Sequence, residues 1–334
     1  MLKQKLFIIL FVACMILYAD EKAKIPVWEM QIKDFCVDYA LMSGDIILTG
    51  CKYGNLGKYG FIDKNGFDIE HITLIDRDLS DAVAQTRSHL ILGNHIFNKF
   101  ENLKNLKFVK ELPYEFKYIL AINYDFIATD NKNVVRYFDR NLNIKYEIYQ
   151  TSEIKSIVKK DETLMVLVEN EGLYKYDLKG NFIDKKEINA EFIDFLAFDK
   201  AFFTLEREQF YKDFQSVVKI KLNKYDYNGS KIFEKIVGDD DKAKIVKFGD
   251  NLLFITNDEN AINLVEFNQN GDEIDKNIAY GYEKESRINS GVMLPNGDIL
   301  LGGNIGYKRD AIFIKISSKT PLGKQEICKF NKGL

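Results

Sequence analysis

The chain has 334 residues, 47 of them basic and 50 acidic, for a net charge of −3; that balance excludes the concentrated basic footprint on which nucleic-acid binding depends. With 46% hydrophobic residues it can bury a sizeable core, which excludes a disordered chain, and it has no low-complexity tract or linker to mark a domain boundary. Phe and Tyr are abundant (25 and 18) while Trp occurs once, a composition that favours strands.

Met1–Lys5 carries Lys3 and Lys5, and LFIILFVACMILYA (Leu6–Ala19) then runs uninterrupted to Asp20. A basic start, an apolar run shorter than the roughly 20 residues that span a bilayer, and a small final residue form a secretory signal. The expectation is a signal peptide over residues 1–19, cleaved after Ala19, and a single domain over 20–334. Phe11-Val12-Ala13-Cys14 offers a second processing site, a lipoprotein signal ending at residue 13 with the lipid on Cys14. Only that reading attaches the protein to a membrane. Both export it, to the periplasm or envelope of a bacterial cell.

Beyond the leader the patterning has period 2, with few amphipathic helical stretches. VWEMQI (27–32) reads as an outer strand and is expected against the last unit of the chain. The first unit reads as strands 36–42, 45–52, 58–63 and 66–74. A two-residue hairpin at Met42–Asp45 would set Cys36 opposite Cys51 on neighbouring strands, making them the candidate disulfide in an oxidising compartment. CKYGNLGKYG (51–60) lies between strands, so its glycines are not a phosphate loop, which would lead into a helix.

An apolar strand followed by an acid or amide and then Asn-Gly or Lys-Gly recurs as FIDKNG (61–66), KYDLKG (175–180), KYDYNG (224–229) and EFNQNG (266–271). A copy without the glycine is YFDRNL (137–142). Each predicts a strand–turn–strand corner with a positive φ at the glycine. The first gap is about double the others, which places a further unit near FNKFENLKNLKFVKEL (97–112), and one more step past Asn268 reaches Ser317–Gly323. Units two to six begin near Leu79, Phe116, Ile154, Phe192 and Lys244. The last unit has strands near 287–294, 298–304, 311–317 and 323–329, and its LPNGDILLGGNIGYKRDAIFIKIS nearly duplicates the first.

Repeats of about 40–50 residues with several strands each predict an all-β fold, a β-propeller of seven four-stranded blades, with six or eight left open. GDILLGG…AIFIKIS resembles bacterial propeller repeats that read Gly-Asp/Lys-Ile-apolar-apolar-Gly-Gly, then an apolar strand and an Asn-Gly or Asp-Gly corner. The match is clear over 288–317 and, with one glycine lost, over 42–66. The resemblance implies a secreted or envelope-associated protein. Trp-Asp strand ends and the Ser-x-Asp-x-Gly-x-x-Trp box of other propeller families do not occur, and the single Trp28 cannot supply a repeated tryptophan.

His71, His89 and His95 are the only histidines, and none has the spacing of a triad or a metal site. Asp239-Asp240-Asp241 are consecutive acids without the alternating spacers of a calcium loop, and read as solvated. No metal and no cofactor is therefore expected. What remains is surface: Lys52, Tyr53, Lys58 and Tyr59 from the first unit, Tyr307, Lys308 and Arg309 from the last, and Arg207, Tyr211 and Lys212 from the longest excursion, LEREQFYKDFQ (205–215). Tyr and Arg are favoured where a surface meets a partner. The expectation is a non-catalytic binding or scaffold module with a protein partner. Its alternatives are an enzyme acting on a small substrate in the central funnel and an accessory factor for assembly or maturation of a periplasmic enzyme complex.

Overall fold

The structure, a computed structural model, describes residues 82–98, 107–212, 215–239, 243–258, 261–281, 286–294, 297–305, 310–317 and 322, together with the backbone of strands 25–32, 39–43, 46–53, 56–63, 69–75 and 325–332. Strand β1 (Ile25–Ile32) comes first. Six four-stranded sheets follow in order: β2–β5 (Tyr39–Ser43, Ile46–Tyr53, Leu56–Asp63, Ile69–Ile75), β6–β9 (Val83–Gln85, His89–Leu92, His95–Asn98, Phe108–Glu111) and β10–β13 (Phe116–Ile122, Asp125–Asp130, Val134–Phe138, Ile144–Tyr149). Then come β14–β17 (Ile154–Lys160, Thr163–Val168, Gly172–Asp177, Phe182–Lys186), β18–β21 (Glu191–Ala197, Ala201–Lys212, Gln215–Asp226, Lys231–Gly238) and β22–β25 (Lys244–Phe248, Asn251–Asp258, Ala261–Phe267, Glu273–Gly281). The last strands are β26–β28 (Ser286–Met293, Ile299–Ile305, Asp310–Ile316) and β29 (Gln325–Lys332).

The expectation of seven four-stranded blades needs correction. Among the described residues six sheets are four-stranded meanders, and the seventh is a five-stranded composite in the order β26-β27-β28-β1-β29. β1 does not lie outside the last unit but inside it. It is antiparallel to β28 from Glu29↔Ile314 to Ile32↔Ala311, and parallel to β29 from Ile25↔Gln325 to Ile32↔Lys332. The expected fourth strand, here β29, is displaced to the edge. Neighbouring strands lie about 4.8 Å apart, so stepping over one means crossing roughly 10 Å. The connection 317–324 is long enough for that step, whereas the corners elsewhere join adjacent strands.

Those corners share one geometry. Asp139, Asp177, Asp226 and Asn268 each accept, through the side-chain Oδ1, the backbone N–H groups two and four residues ahead, at 2.8–3.0 Å. Each backbone carbonyl accepts the N–H three residues on, at 2.9–3.0 Å, closing the turn. The residue making that last bond has positive φ: Leu142 (65°), Gly180 (87°), Gly229 (81°) and Gly271 (86°). The register slips once beside each corner, as a glycine bulge requires. Positive φ is thus confined to that one residue of each corner; the Asn or Lys before it is not among the positive-φ residues. The glycine also permits contact. A Cβ on Gly180 would fall 2.8 Å from the Tyr146 ring of the preceding sheet.

Two compact units make up the chain, one of Asp38–Ile245 and one of Met1–Val37 with Val246–Leu334. Within the first, both faces of the sheets are apolar. In TLMVLV (β15) Leu164, Val166 and Val168 pack against Ile127, Val135 and Tyr137 of the preceding sheet, while Met165 and Leu167 pack against Phe192, Phe202 and Tyr225 of the next. Alternation along a strand buried on both sides gives a continuous apolar run. A third cluster joins Ile91 and Ile96 to Phe116, Phe126 and Phe138. In the second unit Leu253, Ile255 and Leu264 pack with Leu301, Ile314 and Leu322. Successive meanders stacked face to face form the blade architecture of a propeller.

Candidate functional site

Of the surface residues expected from sequence, Lys52 and Tyr53 end β3, and Lys58 and Tyr59 lie in β4, so all four belong to the hairpin ladder rather than to a loop (Lys52↔Gly57, Tyr53↔Leu56). Tyr307, Lys308 and Arg309, like Cys14, Cys36 and residues 1–19, lie outside the described residues, as do Asp240 and Asp241. The register proposed for the cysteines does not hold. Met42 pairs with Ile47 and Ser43 with Ile46, so continuing the β2–β3 ladder would set position 38, not 36, across from Cys51.

LEREQFYKDFQ is not a loop. β19 and β20 continue pairing from Glu208↔Lys219 to Lys212↔Gln215, five rungs beyond Arg207↔Ile220. The neighbouring strands stop at that point, at Glu191↔Arg207 in β18 and Ile220↔Gly238 in β21. A two-stranded ribbon therefore projects from the end of the fifth sheet at which β18 begins. Arg207 at its base is held by Glu191 at 3.1 Å. Tyr211 near the tip is 78% exposed, and Lys212 forms the last rung. The Lys219 ammonium lies 5.0 Å from the Phe210 ring centre.

At the same end, β6, β10, β14 and β18 stand side by side as the first strands of consecutive sheets. The ladder skips a residue at the start of three of them, at Lys117, Lys155 and Ile193. The bulges accompany a chain of charges running across the sheets. Lys117 is hydrogen-bonded to Glu153, and Lys155 reaches Glu153 at 2.9 Å and Glu169 at 3.5 Å. Glu169 accepts the Phe192 N–H at 3.2 Å, and Asp194 accepts those of Phe195 and Ile245 at 2.9 Å each. Glu153 ties back to β10 of the preceding sheet, whereas Glu169 and Asp194 reach forward to β18 and β22.

These groups border a cavity of about 240 Å³. Its polar rim comprises Lys117, Tyr118, Glu153, Lys155, Ser156, Asp194 and Lys244, and Leu167, Phe192, Ile193 and Phe195 form apolar walls. The Lys117 hydrogen bond, against burial and with help from Lys155, holds Glu153 below the usual carboxylate range. Burial works to lower Lys155, but Glu153 and Glu169 keep it above its ordinary value. Burial pushes Glu169 and Asp194 upward, against the Phe192 N–H and Lys155 in one case and Lys244 and the backbone donors in the other. Burial, with the nearby acids Glu153, Asp194 and Glu169, raises the Tyr118 phenol well above its normal value, so it stays a donor.

Sequence reasoning found the strand starts here but missed the site. Its signal was EFKY, EIKS and EFID at 115–118, 153–156 and 191–194, a Glu-apolar pair recurring every 38 residues with lysine following in two copies. Among the described residues no cluster of three or more His, Cys, Asp and Glu has metal-ligand placement.

No protein-family model matches the chain, and no curated protein matches it in sequence. Solved structures resemble it in fold. BamB from Moraxella catarrhalis superimposes with a TM-score of 0.56 at 9% identity, covering 87% of this chain and 97% of that one. The WD40 beta propeller domain of Doa1 gives 0.57 at 8% identity, over 85% and 94%. Sqt1 from Saccharomyces cerevisiae gives 0.61 at 11% identity, over 88% and 100%. At these identities the likeness is one of fold alone: the chain is an all-β β-propeller.

Proposed function

We propose that the protein is a non-catalytic binding module that engages a protein partner through the end of the fifth sheet where β18 begins. The observation that carries this reading is the ribbon of β19 and β20. It extends five rungs beyond both neighbouring strands, with Tyr211 exposed near its tip, so its ladder adds no strand pairing to the four-stranded part of its sheet. Exposed aromatic side chains on a rigid element supply contact area at low entropic cost. The acids of the adjacent cavity support a binding role over acid–base chemistry: Glu153 is held by two lysines, and Asp194 by two backbone donors. An assembly or maturation factor of an envelope complex is one form that such a module takes.

The test is capture from native envelope extract on immobilised protein, with a variant in which residues 208–219 are replaced by Asn-Gly. Because those rungs lie outside the four-stranded ladder, the variant is expected to keep the wild-type thermal transition and to lose the captured protein. Capture of the same protein by a folded, ribbonless variant would overturn the reading. Export rests on the pattern of residues 1–19, and the mature protein is expected to begin at Asp20. Intact mass and N-terminal sequencing check this, and a lipid-sized increment on Cys14 would select the other processing site.

A further inference from the structure

The fifth sheet meets the fourth across a face that is not wholly apolar. Phe202 and Tyr225, paired across β19 and β20, pack with Met165, Leu167 and Leu173 of the fourth sheet. Two residues along, and so on the same face, Thr204 pairs with Asn223. Both are fully buried. The Thr204 hydroxyl donates to Glu206 at 2.6 Å, and the Tyr225 hydroxyl to the same oxygen at 2.9 Å. Among the described residues, neither Oδ1 nor Nδ2 of Asn223 has a hydrogen-bond partner. The sister positions differ. Arg136 and Tyr174 also stand three residues before a corner Asp, and they are bonded, Arg136 to Glu147 at 2.6 Å and Tyr174 to Glu171. Glu234 lies across from Asn223 as Glu147 lies across from Arg136. It is committed instead to Lys221 at 3.1 Å and Lys231 at 2.7 Å.

We infer that ordered water is bound at Asn223 between the fourth and fifth sheets, accepting from Nδ2 and donating to Oδ1, as part of the packing that joins them. A buried amide bare at both ends is costly, and its ligand must answer both ends. A cation satisfies only Oδ1. An anion satisfies only Nδ2, and it would face the Glu206 carboxylate two residues from Thr204 on the same face. Full burial keeps out a side chain presented by another molecule. Water both donates and accepts, and an internal water typically makes about three hydrogen bonds. The Thr204 oxygen, whose proton goes to Glu206, supplies a further acceptor across the ladder from Asn223. This inference is independent of the partner reading, because the ribbon begins beyond these rungs.

Two measurements test it. A high-resolution crystal structure of the wild-type protein is expected to show water about 3 Å from both Oδ1 and Nδ2 of Asn223. An amide atom bonded to a protein group instead, or left bare, would overturn the inference. So would a peak held by Oδ1 at the roughly 2.3–2.6 Å of a calcium ion. The second measurement compares Asn223→Ser with Asn223→Ala in urea unfolding. The two variants leave nearly the same space and differ by one hydroxyl. In a hydrated site that hydroxyl finds water, and the serine variant is expected to unfold at a midpoint higher by roughly 0.5 M. In a dry site the hydroxyl is a buried group without a partner, and the alanine variant is the more stable. Equal midpoints, or the alanine variant above the serine variant, would therefore overturn the inference. If either variant fails to fold, the wild-type crystal structure decides alone.

Discussion

Leu142 holds a φ of 65°, at the position that glycine occupies in the three sister corners. An L-residue there costs on the order of 1 kcal/mol, yet the side chain is buried with Phe116, Phe126 and Phe138. A buried leucine is worth more than that strain, since its loss typically costs about 2.7–5 kcal/mol. Leu142→Gly should therefore destabilise the protein by a net ~2 kcal/mol in urea unfolding, and a gain in stability would show that the corner's backbone, not its packing, dominates. Glu171 illustrates charge at the same scale. The hydroxyls of Ser152, Thr151 and Tyr174 hold its carboxyl down to about 2, with Thr151 at 2.6 Å. Because the folded value lies below the unfolded one, the stability it contributes is full above about pH 4.5 and is lost as pH falls toward 2. The side chain is partly exposed, so solvent screening reduces the contribution to about 1 kcal/mol. Glu171→Gln should lower stability by that amount at pH 7, and the gap to wild type should close near pH 2.

At the scale of elements, the fifth sheet carries a buried carboxylate. One oxygen of Glu206 accepts the hydroxyls of Thr204 at 2.6 Å and Tyr225 at 2.9 Å. Tyr225→Phe would leave that buried group short of a donor, at a cost of about 1–3 kcal/mol, read as a lower urea midpoint with an unchanged slope. The strands that build such sheets were legible in sequence where both faces are apolar. The expected starts at Phe116, Ile154, Phe192 and Lys244 lie at or within one residue of the first residues of β10, β14, β18 and β22. The recurring Asp or Asn corners were legible too, because their chemistry is local. The ribbon was not, since Glu206-Arg207-Glu208-Gln209 is polar on both faces and a two-stranded projection imposes no alternation. The register expected for Cys51 depended on a turn whose length periodicity does not encode, and the described β2–β3 ladder runs two residues off it. The cavity was hidden for a related reason: Lys117 and Lys155 acquire their placement from bulges, and a single extra residue in a ladder leaves no mark in composition.

For the molecule as a whole, the telling feature is the place of β1. VWEMQI and KQEICK look alike as outer strands, and nothing local says which lies inside the other; long-range pairing decides. β1 has hydrogen-bonded neighbours on both sides, whereas β29 touches the sheet only through β1. The two chain ends therefore differ in consequence. Removing residues 325–334 takes away one edge strand and leaves β26, β27, β28 and β1 as a four-stranded antiparallel sheet. Removing residues 20–32 takes away an interior strand, strips β29 of its only partner and exposes the edge of β28, which becomes open to pairing with other chains. The C-terminal truncation is expected to fold and to lose about 2–8 °C of thermal stability, corresponding to one or two kcal/mol in a protein of this size. The N-terminal truncation is expected to be aggregation-prone, with no cooperative transition for the unit that includes β26–β28. Scanning calorimetry and light scattering of the two truncated proteins separate these outcomes. Equal stability, or a more damaging C-terminal cut, would mean that β29 and not β1 completes the seventh sheet.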